Sequence, residues 1–327
     1  MTAGSLEQFE AARPRLFSLA YRMLGEAAEA EDVVQEAYLR WEKAGPVATP
    51  AAWLTRVATN LCLTRLTSAR ARRERYTGPW LPEPVVTGPG PWETVEQRDS
   101  LRFGVLVLLE RLTPAERAAF VLREGFDYSH REIASLLGVS EANARQLYRR
   151  AREHVGEPRK RFEAPAQKEV VERFLTAMHQ ADLPALERLL AEDVVAWSDG
   201  GGKVSAARRP ITGRAKVLRF LLGLARHPRL ASAEFTVAPV NGEPALLVFE
   251  SGALSAVMVP EFTGGRLSEI RNVLNPDKLA FAAAQLSNGQ AGTRHDGSRP
   301  LKPSNFSSAL ASSGTSTTGP KRPGSRG

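Results

Sequence analysis

The chain has 327 residues, of which 43% are apolar and 24% charged, with a net charge of +8; this is enough to build two or three domains with their own cores. Its longest apolar runs, VLVLLE and LRFLLGLA, fall far short of a membrane span, and its start shows no basic segment followed by an apolar core, which excludes a secretory signal. One cysteine, Cys62, and five scattered histidines form neither a disulfide framework nor a zinc cluster, so the expectation is a cytoplasmic protein with no membrane, metal or cofactor.

Residues 6–75 show apolar positions three and four apart in FEAARPRLFSLAYRMLG, EAEDVVQEAYLRWEKA and PAAWLTRVATNLCLTRLTSARARRERY, which predicts helices broken at Gly25 and at GPVATP. Charge alternates along them. Residues 26–42 hold six acids against Arg40, whereas 56–75 hold six arginines against Glu74. DNA would repel the acidic helix, so its outer face suits a protein partner or solvent. On the basic helix, Trp53 and Asn60 share a surface with arginines, a mixture that suits unpaired bases through stacking and phosphate attraction. Trp53 read alone is a core residue. Cys62, between Leu61 and Leu63, reads as a buried, inert thiol.

From Gly78 to Pro91 prolines and glycines exclude further helix. The stretch GPWLPEPV, residues 78–85, is stiff and apolar where a spacer would be polar. Restricted by its prolines, it can present Trp80 and Leu81 to a docking surface at low entropic cost.

Helix returns over 93–156 with sharp boundaries. Thr113 with Glu116, and Ser129 with Glu132, fit capping boxes; Pro114 fits the first helical position, and Ser140 opens a third helix. Between the last two, Ala134, Gly138, Val139, Ala144 and Leu147 have the spacing of a helix-turn-helix. The second helix then presents Glu141, Asn143, Arg145, Gln146, Arg149 and Arg150, groups able to reach base edges and phosphates. An αα-hairpin with a solvated arginine face is the plainer reading.

After EAPAQ the pattern becomes two helices (KEVVERFLTAMHQ and LPALERLLAED), a strand (VVAWSD), a helix (GRAKVLRFLLGLAR) and strand-like runs turned at NGE and TGG, which predicts an α+β domain with a mostly antiparallel sheet over 166–286. DGGGK lacks the spacing of a phosphate loop and reads as a tight loop making interdomain contacts. In NPDKL, Asn275 and Pro276 end a strand and Asp277 is placed to cap a short helix over 277–286. Beyond about residue 290 the Gly/Ser/Pro-rich tail, with six bases against Asp296, holds nothing that could build a core.

The segments AEDVVQEAYLRW, AWLTRVATNLCLTRL and LTPAERAAFVLRE, followed by the helix-turn-helix, resemble regions 2 and 4 of an extracytoplasmic-function (ECF) sigma factor. WLPEP, SDGGGK and NPDKL resemble the SigJ-like group of that family, in which a SnoaL-like domain of the NTF2 fold follows region 4. The resemblance implies a multidomain chain: region 2 over 6–76, an all-α bundle; a Pro-rich linker over 77–98; region 4 over 99–157; and a SnoaL-like α+β cone over 166–286. The tail over 287–327, disordered and basic by its composition, is longer than the resemblance leads one to expect. It implies as partners core RNA polymerase, through its β and β′ subunits, and promoter DNA, with no separate anti-sigma factor required and the cone free to take a small-molecule ligand. By position it assigns Asp32, Gln35, Glu36 and Trp41 to the polymerase clamp, and Trp53, Arg56, Asn60, Arg65, Arg70, Arg72 and Arg73 to the minus-10 element. Asn143, Arg145, Gln146, Arg149 and Arg150 fall to the minus-35 element. Interdomain regulation falls to Trp80, Leu81, Pro82, Glu83 and Pro84, to Asp199, Gly200, Gly201, Gly202 and Lys203, and to Asn275, Pro276, Asp277, Lys278 and Leu279.

Two rivals stand beside this reading. One is a SnoaL-like isomerase or cyclase fused to a DNA-binding module, its acid or base drawn from Asp193, Asp199, His179 or His227; no convincing pair stands out, and the fold alone does not imply activity. The other is a helix-turn-helix repressor that never meets polymerase.

Overall fold

The computed structural model describes residues 3–87, 102–156, 164–180, 182–227, 230 and 232–290. The linker stretch 88–98, residues 99–101 and 157, the tail from 291 onward, and the side chains of Arg70, Arg72 and His179 lie outside the described residues. No described helix is long and apolar enough to cross a membrane.

Three helices open the chain: α1 (Ala3–Leu24), α2 (Ala27–Lys43) and α3 (Pro50–Glu74). In α2, Ala27, Ala30, Val33, Val34, Ala37 and Trp41 are buried, a helical stripe turned toward α1 and α3. After an interval come α4 (Phe103–Leu109), α5 (Pro114–Phe126), α6 (His130–Leu137) and α7 (Glu141–Val155). Both expected capping boxes form: Thr113 and Glu116 open α5, and Ser129 and Glu132 open α6. Gly138 ends α6 at φ +67°, a left-handed conformation that glycine adopts without strain. The tight turn brings Ile133 and Ala134 against Ala144 and Leu147, all buried.

The two helical groups share one continuous core, from Phe9 and Leu54 through Leu122 and Ile133 to Ala151. Polar contacts cross the same boundary. Arg56 donates to the Ser135 carbonyl (2.9 Å), the Tyr128 hydroxyl to Thr55 Oγ1 (3.2 Å), and Arg22 to the Gly125 carbonyl (3.0 Å).

The rest of the described chain is α+β: α8 (Ala164–His179), α9 (Leu183–Leu189), β1 (Leu190–Asp199), β2 (Ile211–Thr212), α10 (Arg214–Ala225), β3 (Glu234–Val240), β4 (Glu243–Glu250), β5 (Ala253–Thr263), β6 (Arg266–Val273) and α11 (Pro276–Gln290). The six strands form one sheet in the order β2-β1-β6-β5-β4-β3, in which only β1–β6 is parallel. Register shifts between Leu190 and Val195, Val248 and Phe249, and Glu261 and Phe262 bend it, giving the cone that a SnoaL-like fold requires. Three helices fill one face, where Phe174, Val217 and Leu221 pack on Leu246, Val248, Met258 and Ile270.

The opposite face is also buried. Ala245, Leu247, Val257, Val259 and Val273 form a second layer with Leu279 of α11, Leu81 of the linker and Phe103 of α4. The run Ala245–Leu246–Leu247–Val248 is buried throughout because alternate side chains enter the two layers. α11 also reaches the helical core, where Phe281 stacks on Phe17 with ring centroids 5.9 Å apart.

Two expectations are corrected. The helix expected over LPALERLLAED stops at Leu189 because Leu190 pairs with Leu267 and begins β1, four residues before the expected strand. The helix expected over 277–286 runs from Pro276 to Gln290, and Asn275 caps it: its Oδ1 accepts from the Asp277 backbone N–H at 3.1 Å.

Leu81 is 1% exposed within the second layer, so Leu81→Ala should lower the free energy of unfolding by about 2–5 kcal/mol. Urea denaturation measures this. A loss below about 0.5 kcal/mol, the scale of an ordinary surface change, would place the linker outside the core.

Candidate functional site: a linker-centred hub and two candidate nucleic-acid faces

Between Trp80 and Thr87 the linker runs through the meeting point of all three parts. A buried extended segment must satisfy its own backbone, and here side chains from the two sides do so. The Leu81 N–H donates to Asp199 Oδ2 (2.8 Å), while Lys278 Nζ donates to the Leu81 carbonyl and to the same carboxylate oxygen (2.7 Å). The Glu83 N–H donates to the Gly25 carbonyl (2.9 Å), and the Tyr21 hydroxyl to the Glu83 carbonyl (2.6 Å). Asn241 alone serves Val85, accepting its N–H at Oδ1 (3.1 Å) and donating its own N–H to the Val85 carbonyl (2.8 Å). The Gln285 side chain does the same for Val86, at 2.9 and 3.2 Å. Pro82 and Pro84, both buried, carry no N–H. The alternation of prolines therefore removes two donors that this interior would otherwise have to match.

Asp199 is 0% exposed. Besides Leu81 and Lys278, it receives the Tyr76 hydroxyl (2.5 Å) and the Gly201 N–H (3.1 Å) at Oδ1. Its carbonyl accepts from Leu274 and Asn275 (2.8 and 2.9 Å), and Asn275 Nδ2 donates to the Tyr76 hydroxyl (2.9 Å). Burial pulls the Lys278 ammonium below its ordinary pKa, and Asp199 pulls it back. Burial, reinforced by the hydrogen bond to Asp199, raises the Tyr76 phenol and keeps it a donor. Gly201 is required twice: its φ is +59°, and a Cβ there would lie 2.3 Å from Asn275 Nδ2. Lys203 pairs with Asp277 at the exposed rim.

Two cations lie over the Trp80 ring, Arg73 Cζ 3.8 Å and Lys278 Nζ 4.1 Å from its centroid. Arg73 also donates to the Leu24 carbonyl (2.6 Å) and pairs with Glu26 (3.1 Å) and Glu110. One guanidinium thus ties α3, the α1–α2 corner, the segment after α4 and the linker. Gly25 turns that corner at φ +72°, and a Cβ on it would stand 2.9 Å from the Trp80 ring. Tyr21, Tyr76, Asn241 and Gln285 are not singled out by the sequence, and Arg73, assigned there to the minus-10 element, sits at the hub instead. The NG turn, with Asn241 at φ +54°, was the one available signal.

Away from the hub, α2 presents Asp32, Gln35 and Glu36 outward, with Leu39 at 52% exposure in line with them. Trp41 is buried against Trp53, with ring centroids 5.6 Å apart, and supports this face from within. Arg65 pairs with Glu29 (2.7 Å) and lies 3.7 Å from Asp32 and Glu36, so it neutralises the acidic face instead of extending the basic one. Arg56 and Asn60 are exposed on α3, Arg56 bonded to α6. Along α7, Asn143, Arg145, Gln146, Arg149 and Arg150 are all exposed; Arg145 pairs with Glu141 and Arg149 with Glu153 on the same helix, and Arg150 pairs with the capping Glu116 (3.1 Å). Of the acid–base candidates, Asp193 and His227 are exposed and Asp199 is committed to the linker. Cys62 is fully buried, and burial raises its thiol pKa.

Glu83 makes the hub pH-sensitive. Its Oε2 accepts from Ala27 N (2.7 Å) and Ala28 N (3.2 Å), capping α2 from outside that helix. Burial nevertheless pushes its pKa up to about 7 from the usual 4.5, against the pull of those two N–H groups. The folded chain therefore keeps a proton up to about pH 7 that the unfolded chain releases near 4.5, and stability falls as pH rises through that window. Unfolding free energies at pH 5 and 8 should differ more in the native chain than in Glu83→Gln, by about 2–3 kcal/mol. Equal differences would contradict the assignment.

Residues 8–72 match the family model for Sigma-70 region 2 and residues 102–155 that for Sigma-70, region 4. The ECF RNA polymerase sigma factor SigJ of Mycobacterium tuberculosis is 43% identical over 297 residues, covering 84% of this chain and 93% of that protein. The same organism's "Probable ECF RNA polymerase sigma factor SigI" is 34% identical over 289 residues, covering 86% and 97%. The crystal structure of M. tuberculosis SigJ superposes with a TM-score of 0.68 at 38% identity, over 84% of this chain and 98% of that one. The chain belongs to the extracytoplasmic-function sigma factors, which bind core RNA polymerase and direct it to promoters.

Proposed function

We propose that the C-terminal domain of this sigma factor restrains it in cis by clasping the linker, so that regions 2 and 4 stay packed together until polymerase and promoter separate them. The observation that carries this is the capture of Leu81 by Asp199 and Lys278, both from the C-terminal domain, at the point where the linker joins the two regions. The minus-10 and minus-35 elements are named for positions about 25 base pairs apart, on the order of 85 Å along duplex DNA at 3.4 Å per base pair. Two readers that share one core, with Arg56 bonded to Ser135, are too close to occupy both.

In the released state Asp32, Gln35, Glu36 and Leu39 meet the polymerase clamp, a leucine within a polar rim being a usual interface arrangement. Trp53, Arg56 and Asn60 read the minus-10 element, and Asn143, Arg145, Gln146 and Arg149 the minus-35 element. Arg65 and Arg73 act in the closed state, the first on the acidic face and the second at the hub. No separate anti-sigma protein is needed where the restraint is covalently attached, and a catalytic role for the cone loses its buried carboxylate, since Asp199 serves the linker.

Run-off transcription with core polymerase on the promoter of the protein's own gene tests the reading. At limiting core enzyme, Trp80→Ala and Asp199→Asn in the full chain should raise transcript yield, by up to about tenfold. Unchanged or lower yield from both, with core binding intact, would contradict restraint.

A further inference from the structure

We propose that the cone is a binding site for a neutral, largely apolar small molecule, and that its occupancy favours the clasped state. The site stands on the cavity; the coupling rests on the clasp proposed above. Inside the cone lies a cavity of about 460 Å³, within the range that holds small ligands. Phe174 and Met178 of α8, Phe220 and Leu224 of α10, and Phe235 and Met258 of the sheet supply its walls. Apolar cavities of about a third this size stay dry and take up benzene.

The polar groups are few; three are grouped, and Ser255 of β5 lies apart from them, its hydroxyl donating to the Val248 carbonyl. Ser198, near the end of β1, Asn272, near the end of β6, and Ser205 of the following loop line the side toward the linker. The lining side chains with an ionisable group are Glu250 and the exposed His227. An ionised ligand would lose its hydration against hydrocarbon with little to replace it, so a neutral molecule with a keto or hydroxyl group at one end fits.

The wall of the cavity and the lock are consecutive residues. Ser198 faces the cavity while Asp199, next along the strand, faces the opposite side and holds Leu81. Leu274 lines the cavity, and Asn275 binds Tyr76; the N–H groups of both hold the Asp199 carbonyl. A smaller cavity of about 310 Å³, bounded by Thr77 and Gly78 of the linker, shares Ser198 and Ser205 with the larger one. Because the wall is complete in the clasped structure, a ligand that needs the wall binds that state better and shifts the population toward it.

The test is titration of the full chain with prodan, a neutral naphthyl ketone whose emission moves to the blue in apolar surroundings. The expected result is saturable one-site binding, abolished by Ala256→Phe from the sheet and by Leu224→Trp from the helix side, so a folding failure in one leaves the other. Asp199→Asn, checked for opening by the distance between labels on regions 2 and 4, should weaken binding by about tenfold. Binding that does not saturate, or that survives both filling variants, overturns the site. Native affinity in an opened Asp199→Asn chain overturns the coupling alone. An Asp199→Asn chain that stays closed counts against the clasp and leaves the site standing on the filling variants.

Discussion

A carboxylate with no solvent exposure must be matched by charge and donors, and Asp199 is matched by groups from three places in the chain: Lys278 of α11, the Leu81 backbone and the Tyr76 hydroxyl. A buried ion pair adds little net stability compared with apolar packing, but removing one partner costs about 3–5 kcal/mol. Its value is selective. The placement of the linker that satisfies Asp199 and Lys278 together also seats Leu81 in the sheet layer and brings Trp80 against Arg73 and Lys278. The remaining contacts of the linker, from Glu83 capping α2 to Asn241 pairing with Val85, extend the same register.

This explains why so short a segment can organise three domains. Along residues 81–87 each backbone N–H has a partner, and the two residues that would lack one are prolines. A spacer of similar length with ordinary residues would bury unmatched donors at a cost of about 1–3 kcal/mol each. The observed arrangement of the three parts is thus encoded in backbone matching as well as in the shared core.

Much of the architecture was legible in the sequence because it rests on local chemistry. Capping boxes, the helix-turn-helix spacing and the apolar stripe of α2 each follow from residues three or four apart. The resemblance added WLPEP, DGGGK and NPDKL as interdomain pieces, and the structure brings all three to one hub. What was not legible depends on partners distant in sequence. Arg65 and Arg73 belong to a basic run whose pattern suits DNA, yet acids from α2 and from Glu110 claim them. Trp41 sits in a stretch that suits a polymerase contact, yet faces inward. Leu190 reads as helix until Leu267 is placed beside it, and Asn241 reads as an ordinary hairpin turn until the linker arrives.

The most direct test of the clasp is the distance between regions 2 and 4 in the free chain. Fluorescent labels at Lys43→Cys and Glu153→Cys, both exposed positions, leave the buried Cys62 unlabelled. Single-molecule energy transfer should show one compact population in the native chain and an added extended population in Asp199→Asn, with core polymerase and promoter DNA moving both chains to the extended state. Identical distributions for the native chain and Asp199→Asn, or a native chain already extended when free, would contradict the account.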